Sequence, residues 1–391
     1  MWKLGMRPFF LLAAIWAGLA VPLWIAILFG IAPAPGEGGL DPLAWHRHAM
    51  IFGYTSAALA GFLLTAVPNW TASTPLAGRP LIGLVGIWIA ARLANAALWW
   101  WGHHAPAVLP GLAILLDAGF YLLLALWAGR RILLAHNRNL PLPVLLLLLA
   151  SASAWDLLAA GTEHAPFGLG ADIGWRAGLA VMVMLIALIG GRITPAFTRN
   201  WLKMHGNPRA EGVVMTTRAD VLVLLATAIG LGLWVAQPFS GLTGFALIML
   251  GIAHVWRLSR WQGLSARPEP LLFILHLGMG WLAIGFLLEG SAILLEPAST
   301  SVALHAWTAG AIGTMTLAVM SRAALGHSGR PLVADRALVA MFTAVNLAVL
   351  ARLSTGLWPA FTDIALMLAA AAWTLAFLIF LARFTPLLWQ P

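Results

Sequence analysis

Twelve separate apolar stretches, each about as long as a membrane is thick, run through this chain of 391 residues. They lie at roughly 9–30, 46–67, 81–101, 108–135, 141–161, 173–195, 217–236, 241–256, 270–290, 301–322, 335–354 and 360–383. A helix needs about 20 such residues to cross the hydrocarbon core. Backbone groups find no partner in lipid, so each stretch must be a helix or part of a closed barrel. The length of the runs selects helices. The sequence therefore predicts an all-α integral membrane protein with twelve transmembrane helices. Only 9% of the residues are charged, against about 25% in a soluble domain. That excludes an ordinary soluble enzyme and a disordered chain. Twelve spans of about 21 residues take up roughly 250 residues, and the rest is divided among eleven connections and two tails. The expectation is one polytopic membrane domain over 1–391. Span 1 follows Lys3 and Arg7 as a signal peptide would, but it is too long and has no small-residue cleavage site.

The net charge of +9 fits topology better than nucleic acid, and no nucleic-acid partner is expected. With the N-terminus inside, most arginines fall on the cytoplasmic face, among them Arg79, Arg130, Arg131, Arg138, Arg209, Arg330 and Arg336. Arg47, Arg176 and Arg352 fall toward the outside, together with Glu37, Asp41, Glu163, Asp172, Glu296 and Asp363. This bias orients both termini to the cytoplasm. A short repeat is also present: Gly78-Arg79-Pro80-Leu81 follows span 2 and Gly329-Arg330-Pro331-Leu332 follows span 10. Span 6 ends in a similar polar exit, 192–207. Spans 2, 6 and 10 are four apart. Either the chain holds three four-helix units, 1–138, 139–267 and 268–391, or inner loops converge on the same turning residues.

Charges inside a membrane need a partner or a task. Arg92 and Asp117 lie at matching depth in spans 3 and 4, as do Asp156 and Arg176 in spans 5 and 6. Each pair reads as an ion pair or as part of a proton path. With no cysteine in the chain, metal binding falls to histidine, methionine and carboxylates. Of eleven histidines, His103, His104, His136, His164 and His205 sit in loops or at helix ends. His46 and His48 open span 2, and His305 opens span 10. His254 and His276 lie on the hairpin of spans 8 and 9, and His327 follows span 10. An imidazole in a span is a ligand for haem iron or copper, or it is simply hydrogen-bonded to a neighbouring helix. The His46-x-His48-x-Met50 spacing joins imidazole to thioether and suits copper. On a regular helix, however, residues two apart point about 200° away from each other. Met182, Met184, Met315 and Met320 are further thioethers or plain filler.

Several runs resemble the NnrS family of twelve-span bacterial membrane proteins: GMRPFF at 5–10, WHRHAMIFG at 45–53, GFLLTAVPNWT at 61–71 and GGRITPAFTRN at 190–200. The most specific is span 10, from Leu304-His305-Ala306 through Met315-Thr316 to Gly326-His327-Ser328-Gly329-Arg330. Ala49 departs from the family, whose pattern has a glutamate there. The resemblance implies haem, expected to be of b type, and copper. It makes His46, His48, His276 and His305 the candidate haem ligands. His48, Met50, His254, His276 and His327 become candidate ligands of copper or a second centre. It also implies nitric oxide as ligand or substrate, a quinol or cytochrome as electron donor, and the bacterial inner membrane as location. Two activities stay open. One is a nitric oxide reductase-like reaction, taking two molecules to nitrous oxide and water with two electrons and two protons. The other is scavenging that protects against nitrosative stress. A weaker likeness is to the catalytic subunit of haem–copper oxidases, which also places histidines on spans 2 and 10. Span 7 here has no histidine, so the paired copper ligands of those enzymes are missing. The alternative class is a transporter or channel without a redox cofactor. Polar groups at both leaflets rather than at one midplane site weigh against it.

Overall fold

The computed structural model describes residues 1–32, 41–160, 170–295 and 299–389, without the side chain of His103. Glu37, Glu163, His164 and Glu296 lie outside the described residues. Among the described residues, twelve helices are long and apolar enough to cross a membrane. They are α1 (Met6–Leu28), α2 (Pro42–Thr71), α3 (Arg79–Trp101), α4 (Val108–Leu134), α5 (Pro141–Ala160), α6 (Ile173–Met204), α7 (Arg218–Ala236), α8 (Gly241–Ser259), α9 (Pro270–Leu295), α10 (Thr300–His327), α11 (Arg336–Ser354) and α12 (Pro359–Trp389). The protein is thus an all-α, multi-pass membrane protein, and no strand occurs among the described residues.

Local chemistry sets where the helices begin. Asp41 caps α2 by accepting from the Ala44 amide at 2.9 Å, with Pro42 at the first helical position. Thr217 and Asp220 form a capping box at the start of α7. Asp335 caps α11 through the Leu338 amide. Because α2 starts at Pro42, His46 and His48 lie inside a continuous helix and face different neighbours.

Three helices change pitch midway. π-Helical stretches occupy Ala49–Tyr54 of α2, Ile186–Gly190 of α6 and Ala306–Gly313 of α10. These are spans 2, 6 and 10: the short sequence repeat follows the first and the last, and span 6 ends in a similar polar exit. A π-turn displaces carbonyls from the usual ladder and is frequent at functional sites. In α2 the displaced groups are used: Ala49 O accepts from Trp16 Nε1 and Phe52 O from Arg92 Nη1, each at 2.9 Å. Trp16 is part of this packing.

The chain divides into two compact units, 1–181 with 381–391, and 182–380. The divisions fall inside α6 and α12 rather than at the four-span boundaries. In the first unit α2 is the central helix: 83% of its membrane stretch is buried, against 33% for α1 and α4 and 44% for α3 and α5. In the second unit α9 packs on α8, α10 and α11 and on the second half of α6.

Candidate functional site

The first unit buries a four-residue charge cluster around His48. Its ring lies between two carboxylates: Nδ1 is 2.8 Å from Asp156 Oδ2, and Nε2 is 3.0 Å from Asp117 Oδ2. Asp117 also pairs with Arg92, and Asn95 Nδ2 donates to it. Arg92 reaches the π-turn carbonyl of Phe52 as well. Arg92, Asp117 and His48 are 4%, 2% and 5% exposed. Asp156 is the member nearest the surface, with 14% of its side chain accessible. A carboxylate accepts and never donates, so two carboxylates on one ring call for hydrogen on both ring nitrogens. His48 is then an imidazolium, and two cations balance two anions. So placed, His48 presents no lone pair to a metal.

The ion pair expected between Arg92 and Asp117 is present. The one expected between Asp156 and Arg176 is not. Asp156 binds His48, and Arg176 lies 3.7 Å from Asp172 instead. The cause is the contact between α5 and α6. A Cβ on Gly174 would sit 2.5 Å from the Asp156 amide nitrogen, so that face of α6 rests on Asp156. Arg176, two residues on, points about 200° away around the helix.

The second unit buries another polar cluster, with the opposite balance. Asp220 accepts from Arg257 Nε at 3.1 Å and from Arg260, and its other oxygen accepts from Thr217. Arg257 Nη1 lies 3.3 Å from His254 Nδ1. His254 Nε2 lies 3.1 Å from Thr227 Oγ1, whose own proton goes to Val223 O at 2.7 Å. A guanidinium only donates, so Nδ1 accepts, Nε2 donates and His254 is neutral. Its ring stacks on Phe286 at 5.2 Å. Both of its nitrogens are engaged, and neither is offered to a metal.

His276 differs from both. Nε2 lies 2.8 Å from Thr198 Oγ1, and Thr198 gives its proton to Thr194 O at 2.8 Å. Nε2 therefore carries the hydrogen and Nδ1 the lone pair. Nδ1 is buried and has no hydrogen-bond partner. It faces the turn after α8, where a Cβ on Gly263 would come within 2.7 Å of it. His276 thus bonds to α6 and His254 to α7, so the two histidines of this hairpin serve different neighbours. At the start of α10, His305 donates Nδ1–H to Ser301 O at 2.7 Å. That bond fixes the tautomer whose lone pair is on Nε2, the arrangement seen behind metal-ligating histidines. His305 also immediately precedes a π-stretch, as His48 does.

The other expected residues are placed more plainly. His46 stacks on Trp24 at 5.0 Å. Met50 packs with Trp16 and Trp24 against Trp45, Ala49 and Trp99. His327 is exposed at the end of α10. Among the described residues no three His, Asp or Glu side chains gather into a metal-holding group. By hydrogen-bond state, His276 and His305 fit a haem or metal ligand, whereas His48 and His254 do not. Sequence reasoning missed Asn95, Asp220, Thr198 and Glu289. Only Asp220 carried a signal, the Thr217-x-x-Asp220 capping pattern ahead of an apolar run.

Compared with known proteins, residues 1–391 match the profile of a family described as NnrS protein. No curated protein matches the chain.

Proposed function

The chain belongs to the NnrS family over its whole length, and from this premise we propose that it holds haem within the membrane and handles nitric oxide there. The observation that carries the haem reading is His276, a buried imidazole whose Nδ1 lone pair has no partner. An unpaired buried nitrogen costs about 1–3 kcal/mol, which a bound group would recover. His305, at the opposite end of the membrane stretch and with its Nδ1–H on the Ser301 carbonyl, is the proposed ligand of a separate haem or metal centre. Haem iron, when bound, supplies a site that takes up a small diatomic ligand. The protein's own contribution is orientation: Thr198 sets the tautomer of His276, and Ser301 sets that of His305. Of the ligands suggested for the copper that the family resemblance implies, His48 and His254 offer no lone pair, which leaves Met50, His276 and His327.

The proposed location is the bacterial inner membrane with both termini in the cytoplasm, as the arginine asymmetry supports. Reporter fusions at Arg138, Arg209 and Arg330 should then report cytoplasm, and fusions at Gly38 and Glu163 the outside. Two inverted sites would overturn this topology.

The test of function is metal and haem analysis of the purified chain, with spectra before and after nitric oxide. A Soret band that shifts on addition supports the reading. A preparation without haem would favour a transporter or channel. If haem is present, nitrous oxide formation with a reductant separates reduction from capture.

A further inference from the structure

Glu289 is the one acidic residue of α9 inside the membrane stretch, and it lies in an aromatic compartment. It is 2% exposed. Oε1 accepts from Trp234 Nε1 at 3.1 Å, and Oε2 is buried without a hydrogen-bond partner. The surrounding rings form a continuous set. Trp234 meets Trp307 edge-on at 5.5 Å, Trp307 meets Phe286 at 4.9 Å, and Phe286 stacks on His254. Phe286 is three residues before Glu289 and shares its face of α9.

Many of the charged and titratable groups of the neighbouring helices are engaged elsewhere. Asp220 of α7, His254 and Arg257 of α8 and Arg260 just beyond it bind one another. On α10, His305 donates to Ser301, and the Arg322 guanidinium lies over the Phe197 ring. On α11, Arg352 donates to Thr355. No ion pair to Glu289 occurs among the described residues.

An ionised carboxylate there would hold a full charge on one indole donor, with no ion pair among the described residues. Buried acids in such surroundings neutralise instead. We propose that Glu289 is a neutral, proton-carrying carboxyl group within the membrane, a proton-loading site of the second unit that faces Trp234 and the π-stretch of α10. Its proton resides on Oε2, the oxygen that Trp234 leaves open. If a ligand held in the membrane is reduced, as one form of the proposed function has it, such a group could serve as its proton source. The proton-loading site itself does not depend on that reading.

Infrared difference spectroscopy of the purified full chain, wild type against Glu289→Gln at neutral pH, tests the proposal. The expected result is loss of one protonated-carboxyl C=O band that also shifts in deuterated buffer. Trp234→Phe keeps the acid and removes its donor, so it should move the same band to higher frequency. This second variant serves where Glu289→Gln fails to fold. Loss of an ionised carboxylate band in Glu289→Gln, or a C=O band unmoved in Trp234→Phe, would overturn the proposal. A chain that never takes up haem would still show the band, so failure of the haem reading leaves a separate signature.

Discussion

His48 in the first unit and His254 in the second are both buried in the membrane, and their surroundings are opposite. Two carboxylates hold His48 and leave a hydrogen on each ring nitrogen. A guanidinium and a threonine hydroxyl hold His254 and leave it neutral. The charge of each cluster decides this: one cation besides His48 stands against two acids in the first, and two arginines against one acid in the second. In neither case is a lone pair left over. Burial of a histidine in a span therefore does not mark a metal ligand; an unused lone pair does. His276, a few turns from the His254 cluster by sequence but bonded to another helix, has one.

The largest break in this comparison should come from Asp117→Leu. It strands Arg92 and His48 without their shared counter-ion, a loss of about 3–5 kcal/mol for a buried pair. Thermal unfolding of the detergent-purified protein would read it, and Arg92→Met added to Asp117→Leu should restore part of the stability. Next come two glycines. A Cβ at Gly174 meets the Asp156 backbone at 2.5 Å, whereas a Cβ at Gly191 meets the tip of Arg257 at 2.4 Å. Gly174→Ala should cost about 1–3 kcal/mol by overpacking, and Gly191→Ala should cost less, because a side-chain end can move. Equal losses would show that Arg257 is as immobile as backbone. The smallest effect belongs to Thr227→Val, which removes the acceptor of His254 Nε2–H for about 1–2 kcal/mol. Nitrogen NMR of labelled histidine should then report a change at His254 and none at His48.

The fold was legible because each helix spends about twenty residues on the membrane, and no other element leaves that trace. Matched depth was enough to pair Arg92 with Asp117 on adjacent helices. The same rule failed for Asp156 and Arg176. There the face of α6 is chosen by Gly174, and depth along a helix says nothing about rotation around it. The placement of His48 was hidden for a related reason: its two carboxylates come from α4 and α5, and only the packing of α2 brings them to one ring. Glu289 was passed over because an isolated acid near a span end looks like a solvated one. Its burial depends on Trp234 and the rings behind it, which come from other helices.

The most direct test is the haem content and Soret spectrum of four variants of the full chain: His48→Gln, His254→Gln, His276→Ala and His305→Ala. The expected result is lost haem or an altered spin state in His276→Ala and His305→Ala, with wild-type spectra and lowered thermal stability in the other two. Lost haem in His48→Gln or His254→Gln, with unchanged spectra in His276→Ala and His305→Ala, would contradict it.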